Sequence, residues 1–207
     1  MQWINIDQNT DEWMQLRAGR IGGSSMGKIM ANYGRAFGPP ANDLAVQIAL
    51  EQIKKKSLES GFTNSHTERG HIEEPIARAL YEDEFFCDVT NGGYFMDGDD
   101  IGVSPDGLVY DDGVIEIKCV IYSVQFATVK RGAHDPKYKW QLAHELKVSG
   151  REWIDYVSYC AEFPEGKRLF VQRIYWYDLW DSFVMMKYRT HQFRQLVNAK
   201  KKLINGI

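Results

Sequence analysis

The stretch 102-GVSPDGLVYDDGVIEIKCV-120 decides how this chain is read. It places Asp106 in a Pro-Asp-Gly turn, and further on Glu116 and Lys118 flank one apolar residue. The turn residues at Tyr110-Asp111-Asp112-Gly113 mark a hairpin of two strands. Side chains alternate across a strand, so Glu116 and Lys118 leave one face while Ile115, Ile117 and Cys119 point the other way, into a core. The hairpin brings Asp106 beside Glu116. Two carboxylates at one spot repel, and each resists ionisation unless a cation lies between them. A hard divalent ion resolves the conflict, and Mg²⁺ prefers a few carboxylates plus water and phosphate oxygens. Lys118 then falls beside water at the ion, where an amine can orient or deprotonate it or steady charge in a transition state. An isolated Glu-x-Lys triplet is also a common solvated surface pair. The "SPDG" turn one hairpin away tips the reading toward a metal-dependent site.

Working outward, "NTDEWMQLRAGRIGGSSMGKIM" reads as two short helices around a glycine break, with Thr10 or Asn9 capping the first and Ser24 or Ser25 the second. "GRAFGPPAND" reads as a loop before a helix "DLAVQIALEQIKKK", and a polar loop then leads to the helix "TERGHIEEPIARALYEDEFF". In that last helix Ile72, Ile76, Ala79 and Leu80 recur at helical spacing. "GGYFMDGD", "IGVSPDGLVY" and "GVIEIKCV" read as a β meander, and "PKYKWQLAHELKVSG" as a helix ending at Gly150. "WIDYVSYCAEF" and "RLFVQRIYWY" alternate like paired strands, and a long helix runs from about Asp181 toward Leu203. The fold class expected is α/β (α+β), a mixed central β-sheet flanked by helices. No linker or repeat divides the chain, so 1–207 is read as a single domain.

Composition excludes more than it proves. The chain has 207 residues with 44% hydrophobic and 26% charged, an ordinary globular balance. No apolar run approaches the roughly 20 residues of a membrane span, and the start lacks the basic and apolar regions of a signal peptide. Three scattered cysteines argue against a disulfide framework or a cysteine-rich metal site, and a reducing cytosol is the expected compartment. The net charge of −3 does not advertise a nucleic-acid binder, yet a local basic groove can coexist with an acidic metal site.

Asp106 followed by Glu116-Ile117-Lys118 is similar to the PD-(D/E)xK nuclease pattern, with a literal Pro105-Asp106. "SPDGLVYDDGVIEIKC" resembles more narrowly the lambda-exonuclease (YqaJ-type) family of phage recombination nucleases. Three further stretches, in the family's order, carry the same resemblance: "WMQLRAGRIGGSSMGKIM", "RGHIEEPIARALYE" and "YKWQLAHELKVSG". Together they span roughly residues 13 to 149.

The resemblance implies a Mg²⁺-dependent 5′-to-3′ exodeoxyribonuclease that degrades one strand from duplex ends and leaves 3′ single-stranded overhangs for phage-type recombination. Mn²⁺ is expected to substitute for Mg²⁺. Carried over by position, Glu74, Asp106, Glu116, Lys118 and Gln141 form the catalytic set. Asp106, Glu116 and the Ile117 carbonyl become metal ligands, with Glu74 directly or through water. Neighbouring Glu73 and Glu74 are separated only by their spacing from Gly70, since physics alone does not choose between them. Arg17, Ser24 and Ser104 match positions that hold a terminal 5′-phosphate, and a guanidinium fork suits a phosphate monoester. Ser24 has the alternative of capping a helix. Two departures stand out: Glu145 where relatives often continue Gln-x-x-x-Tyr, with His144 beside it, and the glycine-rich run "RAGRIGGSSMG".

For the polymer, Lys130, Arg131, Lys137 and Lys139 with His134 between them read as a basic arm for the DNA backbone. Lys187, Arg189, Arg194 and Lys200 to Lys202 form a second basic run, which a solvated face also explains. Tyr175, Trp176, Tyr177 and Trp180 read as core or subunit interface before a base-stacking platform. The resemblance further implies duplex DNA ends as substrate, a single-strand annealing protein as partner, a ring-shaped trimer as homo-oligomer, no membrane, and the host cytosol of a phage or prophage protein. The competing readings are a PD-(D/E)xK endonuclease of restriction, resolvase or CRISPR-adaptation type, and a non-catalytic DNA-end-binding recombination partner.

Overall fold

The computed structural model describes residues 1–58 and 65–206, including their side chains except those of 65–68 and 71. Eight strands, numbered in chain order among these residues, are β1 (Gln2–Ile4), β2 (Val89–Thr90), β3 (Tyr94–Asp97), β4 (Ile101–Val103), β5 (Gly107–Val109), β6 (Gly113–Cys119), β7 (Trp153–Tyr159) and β8 (Leu169–Tyr175). They form two sheets instead of one meander: a three-stranded sheet in the order β1-β3-β4 and a five-stranded sheet in the order β2-β5-β6-β7-β8. The chain changes sheets at Ser104-Pro105-Asp106, between β4 and β5. Pro105 supplies the break, because it has no N–H to carry a ladder onward. Gly107 then lets β5 press close, since a Cβ there would lie 2.3 Å from Val89 Cγ1 and 3.2 Å from Ile115 Cγ1. Asp106 is thus delivered at a junction between sheets.

In the larger sheet β6 pairs with β5 antiparallel, with Gly107 opposite Ile115, and with β7 parallel, with Glu116 opposite Tyr156. The sheet is mixed, as expected. A parallel partner demands a long crossover. Helices α1 (Asp11–Arg17), α2 (Met26–Met30), α3 (Pro39–Lys54) and α4 (Ser65–Phe85) lie between β1 and β2, and the crossover is made by α5 (Tyr122–Arg131) and α6 (Lys139–Ser149). The last, α7 (Trp180–Asn205), follows β8. α6 ends as read from sequence, with Gly150 left-handed at φ 68°.

Thr10 caps α1, its hydroxyl accepting from the Trp13 N–H at 3.2 Å. Neither Ser24 nor Ser25 caps α2. The 3₁₀ turn Gly23–Ser25 runs straight into α2, so Ser25 is already helical at φ −81°, ψ −20° and lacks the extended backbone that a capping side chain needs. α3 starts at Pro39 and not near Asp43, because proline is well placed in a helix's first turn. The polar loop read before α4 lies largely outside the described residues.

The helical period read for α4 holds, but its buried face does not. Ile72, Ile76 and Leu80 are exposed, while Ala77 and Tyr81 are buried against Ile115, Ile117 and Val157 of the large sheet. Tyr81 has a polar reason to face inward: its hydroxyl donates to Asp155 Oδ2 at 2.7 Å. Asp155 on β7 is fully buried and also takes both arms of Arg173, at 2.9 and 2.8 Å. The Arg173 guanidinium in turn stacks 3.6 Å over the Trp153 ring. This network pins α4 across β7 and fixes the height at which Glu74 stands. On the other face α2, α3, α6 and α7 close a second core around Met26, Ile48, Leu142, Leu146, Tyr156 and Phe193.

Candidate active site

Strand register brings together the acids that the sequence singles out. Asp106 continues the β5–β6 ladder past the strand end, its N–H donating to the Ile115 carbonyl at 3.0 Å. The Ile117 N–H donates back to Asp106 Oδ2 at 2.6 Å, which turns the carboxylate along β6. Glu116 is buried, and Lys118 stands on the same face with its amine donating to Glu116 Oε1. The Lys118 amine also sits 5.3 Å from the centre of the Tyr138 ring, a neighbour that sequence reasoning did not assign. Ile115 and Ile117 point into the core with Ala77 and Tyr81, as the alternation requires.

Glu73 and Glu74 have different surroundings. Glu73 is held by Arg69 at 2.9 Å, and Arg69 also reaches Glu162 at 2.7 Å. Glu74 shares a concavity with Asp106, Arg78 and Asn91 and acts on the Asp106 carboxyl electrostatically.

Gln141, on the first turn of α6, uses its amide nitrogen twice. It donates to Glu116 Oε1 at 2.5 Å and to Glu145 Oε1 at 2.9 Å. Glu145 is buried, and its second oxygen has no hydrogen-bond partner. The signal for it was present in the sequence as an i, i+4 spacing from Gln141 on one helix face, but the resemblance gave that position no acidic role. His144, next in the chain, faces away: it is buried with Nε2 at 3.3 Å from the Ile21 carbonyl.

These carboxyls repel each other's charge. Burial first, then Glu116 and Glu74, push Asp106 well above the usual carboxylate range, against the opposing pull of Lys118 and the Ile117 amide. Burial and then Glu116 push Glu145 up in the same way. For Lys118 burial works against the charged amine, but Glu116 and Asp106 outweigh it and raise its pKa above the ordinary lysine value. Asp106, Glu116 and Glu145 therefore all act on the Lys118 amine, and Glu74 adds its charge at Asp106. Among them, Asp106 and Glu116 with Glu74 adjoining suit a divalent cation better than protons. Among the described residues no three His, Cys, Asp or Glu side chains form a complete cage as they stand. An ion would complete its shell from the Ile117 carbonyl, water and substrate oxygens, which is how Mg²⁺ is commonly held.

A polar cavity of about 330 Å³ joins this cluster to the N-terminal helices. Arg17, Arg20, Lys28 and Ser24 line it together with Asp106, Glu116, Gln141 and Glu145. Arg17 lies 4.2 Å over the Trp13 ring. Trp13 is fixed in turn by its indole N–H, which donates to Ser104 Oγ at 2.9 Å, while the Ser104 hydroxyl donates to the Gly93 carbonyl at 2.6 Å. Ser104 thus lines the cavity with its proton already engaged, and in this arrangement it braces the Trp13–Arg17 stack. Ser24 is exposed at the cavity wall.

The basic residues sort into two kinds. Lys130 and Arg131 end α5, and Lys137 and Lys139 flank Tyr138 at the start of α6; all four are exposed close in sequence to Gln141. In the final helix, however, Arg189 is buried and donates to the carbonyls of Ile29, Arg35 and Ala31, so it ties α7 to the end of α2. Arg194 is clasped by Asp100 at 2.5 and 2.9 Å. Arg189 is therefore not presented to a polymer. Tyr175, Trp176, Tyr177 and Trp180 are exposed, which removes the core alternative for that stripe. No described helix is long and apolar enough to cross a membrane.

Residues 12–152 match the YqaJ-like viral recombinase domain family. Among solved structures the chain resembles an alkaline exonuclease from Laribacter hongkongensis, with 27% identity, 95% of this chain and 96% of that one covered, and a TM-score of 0.83. The structure of that exonuclease in complex with dAMP gives 26% identity, 95% and 99% coverage and a TM-score of 0.79. A phage-related exonuclease from Haemophilus somnus 129PT shares the fold at 16% identity, with 90% and 96% covered and a TM-score of 0.63. No curated protein matches the chain.

Proposed function

This chain belongs to the YqaJ-like viral recombinase family, and from that premise we propose that it is a metal-dependent 5′-to-3′ exodeoxyribonuclease acting on duplex DNA ends. The observation that carries the proposal is the convergence of Asp106, Glu116 and Lys118, with both acids lining a cavity that Arg17, Arg20 and Lys28 also line. Asp106, Glu116 and the Ile117 carbonyl would hold Mg²⁺, or Mn²⁺ in its place, with Glu74 adjoining. When bound, such an ion neutralises phosphate charge and makes water a stronger nucleophile.

The chain's own residues do the rest. Lys118, kept protonated by its acidic neighbours, supplies positive charge beside the attacked phosphodiester. Gln141 holds the Glu116 carboxylate in one orientation. Arg17, stacked on Trp13, presents its guanidinium to a terminal 5′-phosphate, with Ser24 at the same wall. Because Asp106 and Glu116 line the same cavity, a phosphate seated there would bring the first phosphodiester toward the acids and set the polarity of digestion. Lys130, Arg131, Lys137 and Lys139 draw the backbone toward α6 through sequence-independent phosphate contacts. The product of this polarity is a 3′ single-stranded overhang, the substrate of strand-annealing recombination.

Assembly into a ring-shaped homo-oligomer belongs to the same reading. Trp180, Val184 and Tyr188 expose an apolar stripe along α7, with Trp176 in the turn before it, and Ile72, Ile76 and Leu80 expose another on α4. Two different apolar faces on one chain suit head-to-tail contacts, which close into rings. The direct test of function is digestion of end-labelled duplexes that differ only in a 5′-phosphate. Mg²⁺-dependent release of 5′ nucleotides, faster from the phosphorylated end, supports the reading; cleavage of covalently closed circles at an equal rate refutes it.

A further inference from the structure

Two features that set this chain apart from its family pattern, Glu145 and the glycine-rich segment after Arg20, meet in one contact. A Cβ on Gly23 would lie 2.6 Å from Glu145 Oε1 and 3.2 Å from its Cγ. Gly23 is buried at the head of the 3₁₀ turn whose next residue is Ser24. Glu145 therefore occupies the space that any larger residue at position 23 would take. From there its Oε1 accepts one N–H of the Gln141 amide, while Gln141 donates to Glu116 Oε1 from the same nitrogen. Both amide hydrogens are used, and the amide plane is fixed by two carboxylates instead of one.

We propose that Glu145 is a positioning residue of the nuclease site, which through Gln141 sets the orientation of the Glu116 carboxylate and which requires glycine at position 23. The proposal rests on the reading of the site given above. Without the Glu145 acceptor, Gln141 keeps one bond and is free to turn about it, and Glu116 loses the fixed direction of one of its two donors, Lys118 being the other. Partners of this kind, one step removed from an ion's ligands, commonly change affinity or activity by about 10- to 100-fold. Glu145 bonds to Gln141 and acts on Glu116 and Lys118, so its effect is expected on the acidic cluster and not on engagement of the DNA end.

The test uses the full chain and two readouts, Mn²⁺ affinity by calorimetry and steady-state digestion of 5′-phosphorylated duplex. Glu145→Ala is expected to weaken Mn²⁺ uptake and lower kcat, each by about 10- to 100-fold, with KM for DNA ends unchanged and no fall in melting temperature. Glu145→Gln, which keeps an acceptor for Gln141, is expected to recover most of both losses. Gly23→Ala is expected to reproduce the loss in the native background and to cost little when combined with Glu145→Ala, since the oxygen it would strike is gone. Native kcat and Mn²⁺ affinity in Glu145→Ala overturn the proposal, as does a loss that only follows a lowered melting temperature. A native chain that binds Mn²⁺ but leaves DNA intact refutes the nuclease reading alone, and the Mn²⁺ arm then decides the role of Glu145. No Mn²⁺ uptake by the native chain overturns both.

Discussion

Asp106 is bound to the strand that carries its partner: the backbone N–H of Ile117 donates to Asp106 Oδ2 at 2.6 Å, one residue beyond Glu116. The carboxylate cannot swing away from Glu116 without breaking that bond, so the repulsion between the acids is built into the hairpin.

Substitution at Asp106 should therefore separate stability from activity. Asp106→Asn removes a buried like charge while the amide oxygen still accepts from Ile117. In metal-free buffer its melting temperature is expected to rise by about 2–4 °C for each kcal/mol of relieved repulsion in a chain of this size. Its nuclease activity is expected to fall by at least about 100-fold, the scale of losing one electrostatic group from an active site. Calorimetric melting with a nuclease assay on the same sample checks both.

Arg17→Ala should change end preference more than turnover. Hydrogen bonds to a charged group contribute about 1.5–3 kcal/mol, so discrimination between 5′-phosphorylated and 5′-hydroxyl duplexes should shrink by about 10- to 100-fold. Ser104→Ala should weaken the same preference indirectly, by releasing Trp13 from beneath Arg17. Competition assays with the two ends read the ratio directly.

Much of this site was legible because it is local. Asp106, Glu116 and Lys118 lie in one hairpin, and the period-2 alternation of β6 fixes their facing whatever surrounds it. The exposed face of α4 was not legible, since Ile72 and Ile76 repeat with the same period as Ala77 and Tyr81; the Asp155–Arg173 pair, distant in sequence, chooses between the two faces. Arg189 misled for a related reason. A helix arginine reads as a surface cation until the carbonyls at the end of α2 arrive to take its guanidinium. The split into two sheets was present in "SPDG" as a proline that cannot continue a ladder, but a hairpin break and a sheet change look alike from one strand.

The Tyr81–Asp155–Arg173 network predicts a stability cost at a distance from the acids. Tyr81→Phe removes one of three hydrogen bonds to a fully buried carboxylate and should cost about 1–3 kcal/mol. Asp155→Ala leaves the buried tyrosine hydroxyl and Arg173 without their acceptor and should cost about 3–5 kcal/mol. Urea denaturation of the two variants tests the order.

His144 predicts an acid limb in stability. Burial, with a smaller opposing effect from the Ile21 carbonyl, pushes its pKa from the ordinary 6.5 down to about 4. Below pH 6.5 the unfolded chain binds a proton that the folded chain refuses until near pH 4. Stability is therefore lost as pH falls through that window, by up to about 3 kcal/mol from this group. His144→Gln should flatten the dependence of urea midpoint on pH between about 6.5 and 4.

The central claim is that Asp106 and Glu116 hold a divalent cation on which the chain's action on DNA depends. Calorimetric titration of Mn²⁺ into the native chain and into Asp106→Asn tests it most directly. Saturable uptake by the native chain, weakened by at least about 100-fold in the variant, is the expected result. Equal uptake by both chains, or none by the native chain even with duplex DNA present, would contradict it.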